Sequence, residues 1–364
     1  MQTISVQSKA GTYPVYLGTG CLGEASIWAD HFGGGQVLVV SNTVVGPIYL
    51  QKLMSALPSS AAETHIIPDG EQHKLQETWS GIIDKLVDMQ ARRDTTLIAL
   101  GGGVVGDITG FAAASYMRGI RFLQVPTTLL AQVDASVGGK TGFNHPQGKN
   151  LVGAFHQPEA VIIDTDTLQT LQPREFNAGM AEVVKYGAIM DWPFFEWLES
   201  NADSVQKREE NALTRLIQDS VQNKARIVAA DEREAGIRTI LNFGHSFGHA
   251  LETVTRYQRF LHGEAVAIGM VVAARLSEMR KLCQPGITDR LRNLLLQFSL
   301  PVDLPADVPI DEMIHALDLD KKAVSSGLRL ILLSDKGKAS IDAGSGHREI
   351  ELALESCRKP QSSK

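Results

Sequence analysis

The feature that most constrains this chain is a series of short β-branched runs in its first half, each cut off abruptly. Val37-Leu38-Val39-Val40 follows a glycine run. Thr95 to Leu100 ends at Gly101-Gly102-Gly103, Phe122 to Val125 stops at Pro126, and Val161 to Ile163 stops at Asp164. None alternates polar with apolar residues, so each predicts a strand buried on both faces. Between the first two, Gln72 to Gln90 carries apolar residues at 75, 79, 82, 83, 86 and 87, the stripe of an amphipathic helix. Strand, helix and strand in alternation imply a mostly parallel sheet with right-handed crossovers.

From Pro173 onward the period changes. Helical patterns cover Glu175 to Tyr186, Pro193 to Leu198, Leu213 to Ala230, His245 to Thr255, Ala265 to Leu282 and Thr288 to Phe298. Strand-like runs nearly vanish until Leu328 to Leu333. The expectation is an α/β domain with a mostly parallel sheet over 1–174 and an all-α domain over 175–364. A length of 364 residues suits two domains.

Acidic residues outnumber basic ones 41 to 35, a formal net charge of −6, which argues against a nucleic-acid partner. It leaves room for a small anionic substrate, because a cleft can be basic on an acidic protein. The longest apolar stretch, Ala265 to Ala274, is about half a membrane span. Cys21, Cys283 and Cys357 are far apart and form no CxxC, which suits a reducing, cytoplasmic setting. Met1 to Gly18 shows no secretory leader pattern.

Gly101 to Gly106 fits G-x-G-x-x-G between a strand and a helix. Glycines there let backbone N–H groups and a helix N-terminus approach a pyrophosphate; a tight turn without a ligand is the alternative. The acidic residue usual about 20 positions later is absent, with Arg121 and Phe122 in its place. Gly139-Lys140-Thr141 is not a P-loop, because that motif needs glycine where Asp134 stands. Lys140 and Lys149 nevertheless fall in glycine-rich segments, read as loops suited to phosphate.

Three of the ten histidines lie within 245–262. His245 and His249, four apart, share one face of a helix, and His262 stands near the start of the next. Imidazoles with a carboxylate make a common zinc set, and spacing alone nominates both His245 and His249 as ligands. HExxH is absent, so a zincin protease is excluded. Glu182 and Lys185 share a face of an otherwise apolar helix, where a pocket-facing pair competes with a surface ion pair.

The segments GGGVVGDITGFAAASYMRGI, PTTLLAQVDASVGGKTGFNHPQGKNLVGAFHQP, PREFNAGMAEVVKYG, TILNFGHSFGHALE and LHGEAVAIGM together closely resemble the 3-dehydroquinate synthase family. The resemblance implies a Rossmann-like NAD domain followed by a helical metal domain. It implies a divalent metal, Zn2+ or Co2+, on Glu182, His245 and His262, with His249 contacting substrate or handling protons instead. NAD positions implied are Asp69, Gly70, Glu71, Gln72, His73 and Lys74; Gly103, Val104, Val105, Gly106 and Asp107; Thr127 and Thr128; Lys140 and Lys149; and Thr167, Leu168, Gln169 and Thr170. Substrate-facing positions implied are Asp134, Lys140, Asn150, Lys185, Lys224, Arg238 and Asn242. Arg118 would reach the substrate phosphate across a homodimer interface, and a lysine of Asp320-Lys321-Lys322 would join the site. Asn42 departs from the family where an acidic residue is common near the adenosine ribose. Thr255 to Phe260 is more basic and less glycine-rich than usual.

The implied activity is conversion of 3-deoxy-D-arabino-heptulosonate 7-phosphate into 3-dehydroquinate and phosphate. It proceeds through transient oxidation at C5, phosphate elimination, return of the hydride and ring closure. Other readings are another sugar-phosphate cyclase, a metal- and NAD-dependent polyol dehydrogenase, and a non-catalytic nucleotide-binding module. The density of Glu182, Lys185, His245, His249 and His262 speaks against the last.

Overall fold

A computed structural model describes all residues except 30, 32–34, 58–61, 324–327 and 360–364, and the side chains of 320–323 are also undescribed. The chain forms two compact units: Met1–Gln172 with Glu210–Arg233, and Pro173–Glu209 with Glu234–Lys364. The lysine expected from Asp320-Lys321-Lys322 lies outside the described side chains.

The first unit holds strands β1 (Gln2–Ser8), β2 (Gly11–Gly18), β3 (Val37–Asn42), β4 (Ala62–Ile67), β5 (Thr96–Gly101), β6 (Arg121–Pro126), β7 (Lys140–His145), β8 (Gly148–Phe155) and β9 (Ala160–Asp164). Its helices are α1 (Ala25–Ala29), α2 (Gly46–Ala56), α3 (Gln76–Asp88) and α4 (Gly103–Ser115). A seven-stranded sheet runs β1-β2-β9-β6-β5-β3-β4, parallel except for the β1–β2 hairpin. The central strands are buried throughout, as their uniform hydrophobicity requires. Val37, Val39, Ile98 and Leu100 face one core cluster with Trp28 and Leu53. Leu38, Val40, Leu97 and Ala99 face the other with Ile82, Leu86 and Ile108.

One local reading changes. Lys140 and Lys149 are not on loops but on the β7–β8 hairpin. Gly142 and Gly153 pair across it, and a Cβ on Gly142 would stand 2.3 Å from the Val152 carbonyl oxygen, so these glycines permit close strand approach rather than looping. Strands β1, β2 and β4 give little sequence signal because most of their exposed residues are polar.

The second unit holds α5 (Pro173–Met190) and α6 (Trp192–Gln206); α7 (Glu210–Ala230), between them and the rest in sequence, belongs to the first unit, where it packs on β1 and β2. The second unit continues with α8 (His245–Val254), α9 (His262–Met279), α10 (Ile287–Gln297), α11 (Ile310–Ala323), β10 (Leu330–Asp335), β11 (Lys338–Asp342) and α12 (His347–Ser356). The β10–β11 hairpin qualifies the all-α expectation for this largely helical half. Helix α9 is buried almost all round, because α5, α8, α10, α12 and β10 pack against it.

Candidate active site

The expected cofactor residues of the first unit collect along one edge of the sheet. Asp69 to Lys74 follow β4, Gly103 to Asp107 follow β5, Thr127 and Thr128 follow β6, and Thr167 to Thr170 follow β9. All lie beyond the carboxyl ends of parallel strands. The chain leaves β3 toward β4 but leaves β5 toward β6, in opposite directions, so β3 and β5 flank a topological switch point where such folds bind ligands. Gly101 ends β5 and Gly103 opens α4, so the glycine run is the strand-to-helix turn that the sequence predicts.

Lys74 anchors this edge. It is 5% exposed, and its Nζ donates to Asp107 Oδ2 at 2.5 Å and Asn150 Oδ1 at 2.6 Å. Burial disfavours its charge, but Asp107 and Glu71 outweigh that and raise its pKa, so Lys74 is a cation at neutral pH. Asn144 accepts from the Asn150 N–H and donates to Glu71, joining the hairpin to the turn before α3. On α7, Lys224 donates to the Asp134 backbone oxygen at 2.6 Å and to Asp134 Oδ1 at 2.7 Å. Asp134 lies in a single π-helical turn, Ala131–Ala135. Thr167 is held by Gln132 Nε2 at 2.9 Å, and Thr170 by Tyr49 at 2.6 Å. Asn42 donates to Asp69 Oδ1 at 2.5 Å, so a carboxylate stands beside the position where the family more often has an acid. Arg118 is not brought to this edge: it follows the C-terminal end of α4, roughly 20 Å along the helix from Gly103.

In the second unit, α5, α8 and the start of α9 converge because glycines remove the side chains between them. A Cβ on Gly263 would lie 1.9 Å from the Ala178 carbonyl oxygen, and one on Gly269 would lie 2.1 Å from the Gly244 carbonyl oxygen. Gly244 has φ +80 and caps α8, setting the direction in which His245 enters the helix. The ring centroids of His245, His249 and His262 then stand 5.3 to 5.8 Å apart.

Glu182 is 1% exposed, and its carboxylate oxygens make no hydrogen bond among the described residues. It faces the Lys185 ammonium, in an ion pair, and His245 Nε2 at 3.4 Å. His245 Nδ1 lies 3.2 Å from the Phe243 carbonyl oxygen, which sets the tautomer with its proton on Nδ1 and leaves the Nε2 lone pair on the Glu182 side, open to a metal. Burial, then the Lys185, His262 and His249 charges, push the His245 pKa well down, so the ring is neutral. Donor atoms of Glu182, His245 and His262 all lie within 4.8 Å of one another. A buried carboxylate without hydrogen bonds beside two imidazoles fits a divalent metal of the zinc or cobalt kind. Arg238, 2% exposed, and Asn242 lie on the 3₁₀ segment just before His245, and Asn242 donates to Glu234 Oε1 at 2.7 Å. Sequence reading missed Asn144, Glu234 and Glu252; only Glu252 carried a signal, standing three residues after His249 on the same face.

Family models for the N-terminal and C-terminal parts of 3-dehydroquinate synthase match residues 64–178 and 179–323. A 3-dehydroquinate synthase of Hydrogenovibrio crunogenus is 48% identical, covering 94% of this chain and 95% of its own. That of Pseudomonas putida is 50% identical, covering 94% and 93%. The chain belongs to the 3-dehydroquinate synthase family. Among solved structures, the 2-epi-5-epi-valiolone synthase of Streptomyces hygroscopicus subsp. jinggangensis, with NAD+ and Zn2+ bound, superposes with TM-score 0.88 at 29% identity, covering 97% of this chain and 98% of that one. A 2-deoxy-scyllo-inosose synthase complexed with carbaglucose-6-phosphate, NAD+ and Co2+ gives TM-score 0.87 at 27% identity, covering 98% and 100%. A maleylacetate reductase from Rhizobium, at 16% identity and TM-score 0.67, shares the fold.

Proposed function

We propose that this chain catalyses conversion of 3-deoxy-D-arabino-heptulosonate 7-phosphate to 3-dehydroquinate and phosphate, a carbon–oxygen lyase reaction of the shikimate pathway, with NAD and Zn2+ or Co2+. The observation that carries this reading is the near-full-length likeness to curated 3-dehydroquinate synthases at about half identity, beside a donor set of one buried carboxylate and two imidazoles. When bound, the metal lowers the cost of deprotonating a substrate hydroxyl, and NAD takes and later returns a hydride.

The chain's own residues orient and neutralise. Glu182, His245 and His262 are the metal ligands in this reading. The glycine-rich turn and the first turn of α4 offer backbone N–H groups to the NAD pyrophosphate, while Lys74, held by Asp107 and Asn150, fixes the cradle from Asp69 to Lys74. Lys140, Lys185, Lys224 and Arg238 neutralise substrate phosphate and carboxylate. Asp134, Asn150 and Asn242 supply hydrogen bonds to its hydroxyls. Lys149 and Thr127 to Thr128 stay with the cofactor. His249, exposed beside the other two rings, is placed to carry protons. Arg118 serves the phosphate in the site of a second copy, which makes the active form a homodimer. No helix among the described residues is long and apolar enough to cross a membrane, and a cytoplasmic location is proposed with the pathway.

The test offers the heptulosonate phosphate and glucose 6-phosphate separately, with NAD+ and Zn2+, and measures phosphate and the carbocycle. Equal phosphate and dehydroquinate from the first substrate alone are expected. Turnover of the hexose phosphate instead would assign the chain to another cyclase class.

A further inference from the structure

Glu252 has no part in the reading above, yet it sits inside the histidine cluster. It follows His245 and His249 along one stripe of α8, seven and three residues on. It is 3% exposed, and glutamate is seldom buried without a partner. Its Oε1 stands 3.5 Å from His262 Nδ1. The backbone fixes this pairing, because a Cβ on Gly248 would already meet the Val266 backbone at 3.1 Å, holding α8 hard against α9.

We infer that Glu252 is a positioning residue for the metal, acting through His262. This rests on the metal site proposed above. A carboxylate facing Nδ1 favours the tautomer with the proton there, turns Nε2 toward Glu182 and His245, and makes that nitrogen a better donor. The Phe243 carbonyl does the same for His245, so each ligand imidazole has its own backbone or carboxylate orienter. Donor atoms of His249, Glu252 and His262 also lie within 4.8 Å of one another, so direct ligation by Glu252 is the competing assignment. Glu182 is the better ligand because neither of its oxygens makes a hydrogen bond among the described residues, whereas Glu252 shares that only at Oε2 and has Oε1 turned to His262.

The experiment measures Zn2+ affinity and stoichiometry by chelator competition on metal-free parent, Glu252→Gln, Glu252→Asp and His245→Ala. It adds the visible spectrum of the Co2+ forms and the melting temperature of each metal-free protein. Glu252→Gln, nearly isosteric, should weaken Zn2+ by roughly 10–100-fold at unchanged one-to-one stoichiometry. Its metal-free melting temperature and the pattern of its Co2+ bands should hold, and Glu252→Asp should recover part of the affinity. Parent-like affinity in Glu252→Gln overturns the inference. So does a second Zn2+ equivalent in the parent that Glu252→Gln loses, which would make Glu252 a ligand. His245→Ala separates the two levels: if it keeps tight one-to-one Zn2+, the metal site itself is wrong, whatever Glu252 does.

Discussion

At the residue scale, the site depends on atoms that are missing. Gly263 leaves room for the Ala178 carbonyl, so Gly263→Ala should cost roughly 1–3 kcal/mol as the α5–α9 contact opens. Zn2+ affinity should fall with it, because Glu182 and His262 ride on those two helices. Urea unfolding and chelator competition check both, and a variant with parent stability would deny that this approach is tight. The cysteines give a second residue-level prediction. Burial, then Asp164, pushes the Cys21 thiol up to about 11, and burial, then Glu278 and Asp335, does the same for Cys283. The thiolate is the reactive form, so at pH 8 the partly exposed Cys283 should react with an aromatic disulfide roughly 100-fold more slowly than a free thiol. Its rate should rise steadily as pH approaches 11. Cys21 and Cys357, both buried, should stay silent until the protein unfolds. Spacing alone nominated His245 and His249 as metal ligands, because a helix face is legible in sequence. That His262 completes a group with Glu182 is not legible by spacing, since it needs the approach of α5 and α9 that Gly263 permits.

At the element scale, the strands that sequence reveals are those buried on both faces, β3, β5, β6 and β9. The hairpin β7–β8 hides because glycine, lysine and asparagine interrupt its apolar pattern at the edge beyond the strands' carboxyl ends. That edge is held by Lys74, which ties the turn before α3 to α4 through Asp107 and to β8 through Asn150. Lys74 is buried but Asp107 is 24% exposed, so Lys74→Met, which strands that carboxylate, should destabilise by roughly 1–3 kcal/mol. Lys74→Met with Asp107→Asn should be clearly more stable than Lys74→Met alone, although NAD binding stays weak in both. Denaturant melts and NAD+ titrations of the cycle read this; equal stability of the single and double variants would mean the pair does not anchor the edge.

At the scale of the whole molecule, the sequence period located the change from α/β to helical structure, but not the return of α7 to the first unit. Its stripe reads like any other helix, and only β1 and β2, themselves faint in sequence, reveal its partner. The net charge of −6 likewise sums over the whole chain and does not reveal that Lys74, Lys185, Lys224 and Arg238 are buried. Arg118, remote from the ligand edge of its own unit, leads to a mixing prediction. Arg118→Ala and His245→Ala should each be nearly inactive. Random exchange of their subunits should restore about a quarter of parent activity, one complete site in each mixed dimer. No recovery after verified exchange would keep Arg118 within its own site or outside catalysis. The central claim is that NAD serves this chain as a recycled reagent, oxidising and then reducing one substrate. It is tested most directly by turnover at limiting NAD+, following dehydroquinate and the absorbance of NADH together. Many dehydroquinate molecules per NAD+, with no net NADH at completion, is the result expected; NADH accumulating in step with product would contradict it.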